Sequence, residues 1–376
     1  MRRLVAAVRS LLSGDTDSAE MDVSQLVQCA ISWHLEHAVM PPFSSDGGVD
    51  PQAAIITPVT DSRRRPLWSV MIPTYNSNAE YLHRCLRSVL DQEVSPDQME
   101  IWLIDDASST DTVRMLAREY SPRVRLITSE RNRGLQASFT ECIRQASGHV
   151  IHTLHQDDFV LPNFYRVMGK PFQSREFVGA ALCRFHYVDK KGEIVYTPRK
   201  EAPIAGFLSD WLPEIVAENR IQFASIVVSR AAFEQIGSYS SRLHYALDWE
   251  LWARIVRNFP IWYTPDPLAV FRWHETSATE GLSVQTRLHD ELLAARIMNT
   301  YLPETSREAV ARATLQRLFS DKWKSVQVLL EAGDTDSALR LADDLLNDWA
   351  SRAERRRCRR LLQSGEIATL GFDREA

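Results

Sequence analysis

Four clusters of polar residues each follow a short apolar run. The first is Pro73-Thr74-Tyr75-Asn76. The second runs from Asp105 and Asp106 through Ser108 and Ser109 to Asp111. The third is Asn132-Arg133-Gly134, and the fourth is His155-Gln156-Asp157-Asp158. Taken singly, each has a structural explanation. Ser108 or Ser109 suits a helix cap, with Asp111 at the positive end of that helix, and Asn132 with Gly134 suits a turn. Four such clusters at successive strand ends carry more weight, because those loops converge on one crevice.

The elements that must position them follow from periodicity. Short buried runs at 68–72, 100–104, 124–127 and 150–154 predict strands. Leu82, Cys85, Leu86, Val89 and Leu90, then Val113, Leu116, Ala117 and Tyr120, then Phe139, Cys142, Ile143 and Ala146 recur at helical spacing. Strands alternating with helices imply a mostly parallel sheet covered on both faces. Ligands bind such sheets beyond the C-terminal ends of the strands. Residues 177–188 and 221–229 read as longer strands, and 248–259 as a helix rich in aromatic residues.

Outside this region the chain changes character. Residues 1–65 read as a separate segment, with a helix at 23–40 and a Pro/Gly/Ser-rich linker after it. Beyond 281 the chain reads as helical, with helices at 306–332 and 335–349. The hexamer Gly-Asp-Thr-Asp-Ser-Ala occurs at 14–19 and again at 333–338, and its order suits a helix stop followed by an N-cap.

Composition narrows the function. The 376 residues carry a net charge of −5, so a strong nucleic-acid binder is disfavoured. The five cysteines are odd in number and form no CxxC pair, which indicates neither a disulfide framework nor a zinc ribbon and fits the cytoplasm. No stretch reaches the roughly 18 apolar residues of a membrane span. Arg2, Arg3 and Arg9 and the basic run 352–360 read first as solvated faces. They also suit peripheral contact with anionic lipid at the inner face of the membrane.

The segments SVMIPTYN, IDDASSTDT, NRGLQAS, LHQDDFVLP, LDWELWARI and FRWHETSAT resemble, in order and spacing, the family 2 glycosyltransferases. The resemblance covers about residues 67–280. It implies the GT-A fold: a Rossmann-like mixed sheet with helices on both faces, here with helical N- and C-terminal segments. It divides the chain into an N-terminal segment and linker at 1–65, a catalytic domain at 66–280 and a C-terminal helical region at 281–376. It implies a divalent metal, Mn²⁺ or Mg²⁺, and inversion at the anomeric carbon.

Residue by residue, the resemblance places Pro73, Thr74 and Tyr75 at the nucleoside pocket. It places Asp106 on the base ring with Asp105 beside it, and Arg133 on the base or a phosphate. Asp157 takes the last position of the DxD metal motif, with Gln156 and Asp158 adjoining. This sequence has His155 where the motif has its first Asp; imidazole can bond a ribose hydroxyl or ligate Mn²⁺, but adds no negative charge. His274, in an Arg-x-His segment, is expected to complete the metal shell or touch the diphosphate, and Arg272 to pair with phosphate oxygens.

Sugar transfer needs a cation at the leaving phosphate and a carboxylate base for the acceptor hydroxyl. Asp248 matches the Asp of the family's Glu-Asp motif, with Leu247 in place of the Glu, and is the expected base. A helix cap is its other reading, with Glu250, Asp158 and the late loop as the next candidates for the base. Trp211, Trp249 and Trp252 could stack on a sugar ring, although Trp252 lies at core spacing. The expected function is transfer from a nucleoside diphosphate sugar, uridine-linked, to a hydroxyl of a glycan, lipid-linked or protein acceptor in polysaccharide or glycoconjugate synthesis. The alternatives are a non-catalytic sugar-nucleotide or partner-binding protein and a nucleotidyltransferase, for which PTYNSNAE lacks the Gly-rich loop.

Overall fold

The computed structural model describes residues 53–60, 65–274, 282 and 284–347. The helix expected at 23–40, the linker, the first hexamer and the basic run 352–360 lie outside them. The chain divides into two compact units, one of Met40–Ala311 and one of Met1–Val39 with Arg312–Ala376.

The first unit is built on a sheet of ten strands. β1 (Trp68–Thr74) is buried at every position, as its continuous apolar run requires of a central strand. It pairs in parallel with β2 (Met99–Asp105) and β4 (Val150–Thr153), and β2 pairs in parallel with β3 (Val124–Thr128). The helices between them are α1 (Ala79–Leu90), α2 (Thr112–Glu119) and α3 (Leu135–Gln145). α1 buries Leu82, Cys85, Leu86 and Val89, the face its 3.6-residue period marks, and Asn78 caps it through the amides of Glu80 and Tyr81.

Past β4 the sheet becomes mixed. β5 (Phe159–Val160), β6 (Ala180–Val188), β7 (Ile194–Tyr196), β8 (Gly206–Phe207), β9 (Ile226–Ser229) and β10 (Ile261–Arg272) complete it. The main path runs β3-β2-β1-β4-β9-β6-β10-β5, with β7 on β6 and β8 on β10. β9 is antiparallel to both β4 and β6, while β10 is parallel to β6. The parallel expectation therefore holds for the first four strands and again for the β6–β10 pair, while β5, β7, β8 and β9 pair antiparallel. The strands read at 177–188 and 221–229 form over 180–188 and 226–229.

Four short or medium helices join the later strands: α4 (Phe164–Met168), α5 (Leu212–Ala217), α6 (Arg230–Ile236) and α7 (Leu247–Asn258). α8 (Val284–Asn299) belongs to the same compact unit. So does the segment at 53–57: Ile56 is buried, Ala53 bridges Ser240, and the Thr57 carbonyl accepts from Arg230. This unit is wider at both ends than the catalytic domain expected at 66–280.

Of the second unit, the described residues are the later part of α9 (Glu304–Glu331) and α10 (Thr335–Asn347). Gly333 turns the chain at φ 78° and Asp334 Oδ1 accepts from the Ser337 amide at 3.1 Å, which is the stop-then-cap chemistry read from the second hexamer. Among the described residues, no helix is long and apolar enough to cross a membrane, and the three described cysteines, Cys85, Cys142 and Cys183, are buried free thiols.

Candidate active site

The four polar clusters do converge, and hydrogen bonds between loops hold them. The loop after β1 is tied to the loop after β4 by Gln156, whose Oε1 accepts from the Tyr75 amide at 3.0 Å and from Ser77 Oγ at 2.5 Å. It is tied to the loop after β2 by Asn76, whose amide donates to Ser108 Oγ at 2.8 Å and whose Oδ1 accepts from the Ser109 amide at 2.9 Å. Asn76 sits at φ 44°, a left-handed conformation that Asn tolerates better than most residues. Neither serine caps α2. Asp111 is its N-cap residue, without a side-chain cap bond, and pairs with Arg114 at 2.7 Å.

The acidic pair after β2 is committed to this framework. Asp105 is buried and accepts from Ser108 Oγ at 2.5 Å. Asp106 is also buried, and its carboxylate accepts the backbone N–H groups of Arg133 (2.9 and 3.1 Å) and Gly134 (2.8 Å). It thus joins the second loop to the third. Gly134 occupies φ 85° there with nothing within 4 Å of an added Cβ, so glycine answers a backbone demand and not a lack of space. The Arg133 side chain stays half-exposed, 3.7 Å from Glu141. Tyr75 is 48% exposed, and Thr74 Oγ1 is buried without a hydrogen-bond partner among the described residues. The loops that carry Tyr75, Asp106 and Arg133 are thus linked to one another.

The fourth cluster has the composition of a cation site. Single ligand atoms of His155, Asp157 and Asp158 lie within 4.8 Å of one another. Asp157 Oδ2 lies 2.7 Å from His274 Nε2. Burial pushes the Asp157 carboxyl up, but the His274 bond and the neighbouring His155 outweigh it and hold it below the usual carboxylate range. Burial, then the charge of Asp157, pushes Asp158 well above that range. His155 lies between the rings of Phe139 (5.2 Å) and Phe223 (4.4 Å), and burial lowers its imidazole. His155 Nε2 and Asp158 Oδ2 are buried without a hydrogen-bond partner among the described residues. Two carboxylates, a neutral imidazole and two orphaned polar atoms fit a divalent cation that accepts oxygen and nitrogen.

Arg272 braces this cluster. Its amide donates to Asp158 Oδ1 at 2.9 Å, and its guanidinium donates to the carbonyls of Asp157 (3.3 Å) and Asp189 (3.2 Å). It also lies 4.4 Å from the Tyr81 ring centroid, and Tyr81 in turn lies 5.6 Å from the His274 ring. Tyr81 carried no sequence signal, being one polar-tipped aromatic on an amphipathic helix. Trp273, 52% exposed between Arg272 and His274, is the exposed tryptophan next to the site. Trp211, Trp249 and Trp252 are buried, with Trp249 Nε1 donating to the Ile215 carbonyl and Trp211 Nε1 to Glu201. They are core residues, which removes them as sugar platforms.

Asp248 lies in the first turn of α7, whose N-cap residue is Ala246. Its Oδ1 accepts from the Trp249 amide at 2.7 Å and its Oδ2 from the Asn219 side chain at 3.2 Å. Burial is the main cause that raises its carboxyl to about 6. Unlike Asp248, Glu250 has no free surface. It is fully buried, bonded to Arg254 twice at 2.9 Å and to the Tyr301 hydroxyl at 2.5 Å, which removes it as an alternative base. Phe223 packs between the cluster and α7, its ring centroid 4.4 Å from that of His155 and 5.5 Å from that of Trp252.

A mixed sheet with polar loops after its first parallel strands and a His–Asp–Asp cluster after β4 has the architecture of a GT-A glycosyltransferase. Residues 69–259 match the model of glycosyl transferase family 2, and the chain belongs to that family. It is 28% identical over 271 residues to the uncharacterized Mycobacterium tuberculosis protein MT1568, covering 66% of this chain and 81% of the other. It is 31% identical over 135 residues to the chondroitin synthase of Escherichia coli, covering 35% of this chain but only 19% of the synthase. Among solved structures, residues 1–349 of S. aureus TarS in complex with UDP-GlcNAc superpose with a TM-score of 0.58 at 18% identity, covering 80% of this chain and 88% of TarS. The mannosyltransferase PcManGT from Pyrobaculum calidifontis, solved with GDP-Man and Mn²⁺, gives 0.52 at 16% identity, covering 92% and 96%. The family membership sets aside the nucleotidyltransferase and the non-catalytic binder.

Proposed function

We propose that this glycosyltransferase moves a sugar from a uridine diphosphate sugar to an acceptor hydroxyl with inversion, in polysaccharide or glycoconjugate synthesis. The observation that carries the reading is the state of Asp248. It is half-buried, its carboxyl is raised to about 6, and it is not the N-cap residue of α7, although its Oδ1 accepts the first-turn amide of Trp249. A carboxylate so placed accepts a proton near neutral pH better than an ordinary surface acid.

Thr74, Tyr75, Asp106 and Arg133 hold the nucleoside end. The TarS complex with UDP-GlcNAc supports the uridine assignment, and the chondroitin synthase similarity supports a glycan acceptor. Asp157 and Asp158, with His155 and His274, would hold Mn²⁺ or Mg²⁺, which when bound balances charge on the departing diphosphate. Arg272 keeps them in place, its backbone N–H on the Asp158 carboxylate and its guanidinium on the Asp157 carbonyl. The acceptor hydroxyl attacks the anomeric carbon from the face opposite the diphosphate. The carbon–oxygen bond to the phosphate breaks with its electron pair left on the diphosphate, and the hydroxyl proton passes to Asp248. One displacement of this kind inverts the anomeric centre.

A thermal-shift panel of nucleotide sugars, each with and without Mn²⁺, tests the donor and the metal together. Stabilisation by uridine diphosphate sugars that depends on Mn²⁺ is expected. Stabilisation by guanosine diphosphate sugars alone would overturn the donor assignment.

A further inference from the structure

The segment that delivers Asp248 is anchored from outside the residues matched to the family. Asp290, on α8, is buried at 5% exposure. Its Oδ2 accepts the backbone N–H groups of His244 at 3.0 Å, Tyr245 at 2.7 Å and Ala246 at 2.8 Å, and its Oδ1 accepts that of His244 at 3.2 Å. Ala246 is the N-cap residue of α7, and its own side chain can cap nothing. A helix start leaves amides without partners, and here a carboxylate from another element accepts the N-cap amide of Ala246 together with those of His244 and Tyr245 in the segment leading into the helix. The negative charge also suits the positive end of α7.

We propose that Asp290 is a positioning residue for the catalytic base, and that α8 is part of the transfer machinery. The inference rests on the reading of Asp248 as the base. Only Leu247 separates Asp248 from the anchored amide of Ala246, so the anchor determines where the first turn of α7 begins. The other holds on Asp248 are the Asn219 amide and the next backbone N–H, neither of which ties the turn to the rest of the unit as firmly as three charged hydrogen bonds. The Asp290 charge adds to burial in keeping Asp248 basic. With the anchor lost, three N–H groups lose their acceptor, the first turn loosens, and the base moves relative to the acceptor hydroxyl while the donor loops after β1 to β4 are untouched.

A double-mutant cycle tests this. Asp248→Asn, Asp290→Asn and the double variant are compared for donor dissociation constant, transfer kcat and melting temperature. Asp290→Asn is expected to lower kcat by about 10-fold or more, since a small misplacement of a reacting group is costly, while donor affinity stays within about 2-fold of wild type. The double variant is expected to be no slower than Asp248→Asn alone, because a positioning residue has nothing left to position. Losses that multiply in the double variant, or an unchanged kcat in Asp290→Asn, overturn the proposal. Normal transfer by Asp248→Asn instead overturns the base assignment beneath it. If Asp290→Asn fails to fold, Asp290→Glu, which keeps the charge but displaces it by one methylene, is read through the same cycle with the same outcomes.

Discussion

His274 Nε2 lies 2.7 Å from Asp157 Oδ2, across 117 residues of sequence. The bond joins the loop after β4 to the end of β10, and so brings the fourth and the last of the resembling segments into one cluster. With His155 and Asp158 it forms the part of the site that a cation would occupy. Removing the Asp157 carboxylate should cost little stability, because its loop is also held by Gln156, Arg272 and Asp158. Asp157→Ala should therefore fold and lose the Mn²⁺-dependent part of its turnover. At a Mn²⁺ concentration 100 times its dissociation constant the wild type should gain about 2.7 kcal/mol, and the variant should gain almost none. Calorimetry of Mn²⁺ binding checks this, and equal binding by both proteins would move the cation elsewhere.

The nucleoside end separates two effects that sequence alone confounds. Asp106 holds two backbone amides of the third loop, so Asp106→Ala should weaken uridine diphosphate binding and also destabilise the fold by about 2 kcal/mol. Arg133→Ala removes a half-exposed side chain and should weaken nucleotide binding with stability nearly unchanged. Denaturant unfolding and titration calorimetry on both variants distinguish the cases. Wild-type affinity in both would count against this crevice as the nucleotide site.

Much of this was legible in the sequence. Continuous apolar runs and helical spacing marked β1 to β4 and α1 to α3, because strands buried on both faces and amphipathic helices leave periodic traces. Gly333 and Asp334 announced a helix stop and a cap by residue type. What was not legible was the division of labour among identical groups. Asp105, Asp106, Asp157 and Asp158 are all acids at strand ends, yet Asp105 braces its own loop, Asp106 ties two loops together and the other two belong to the candidate cation cluster. The tryptophans at 211, 249 and 252 read equally as platform or core until burial decides. Asp290 gave no signal, because a side chain that caps a helix 44 residues away leaves no local pattern. The switch to antiparallel pairing at β9 was hidden for the same reason: apolar runs do not encode strand direction.

Glu250 and Arg254 form a fully buried pair, reinforced by Tyr301 on one side and by the carbonyls of Ile236 and Ser238 on the other. Removing one partner leaves an uncompensated buried charge. Glu250→Ala should lose about 3–5 kcal/mol of stability, the range for broken buried pairs. Urea unfolding measures it. A stable variant with impaired transfer would instead return Glu250 to the list of candidate bases.

The raised carboxyl of Asp248 has consequences of opposite sign for rate and stability. The base must be ionised, so kcat/KM for transfer should fall as pH drops below about 6. Between the ordinary Asp value of 3.8 and about 6, the native state holds a proton that the unfolded chain has released. The contribution of Asp248 to stability therefore declines as pH rises through that window and stays low above it. Asp248→Asn should lose this decline, so its stability relative to wild type should rise from pH 4 to pH 6 and then level off. A pH series of thermal melts reads this directly, and parallel curves for the two proteins would deny the shift.

Whether Asp248 takes the acceptor's proton is tested most directly by transfer kinetics of Asp248→Asn, with donor binding and melting temperature measured on the same preparation. Asn keeps the shape of the side chain but cannot accept the proton. Donor affinity and folding should hold while transfer falls by at least about 10²-fold, the lower end of general-base contributions, and the wild-type product should show an inverted anomeric centre by NMR. Transfer that survives in Asp248→Asn, or falls only in step with a lower melting temperature, would contradict the assignment of Asp248 as the base.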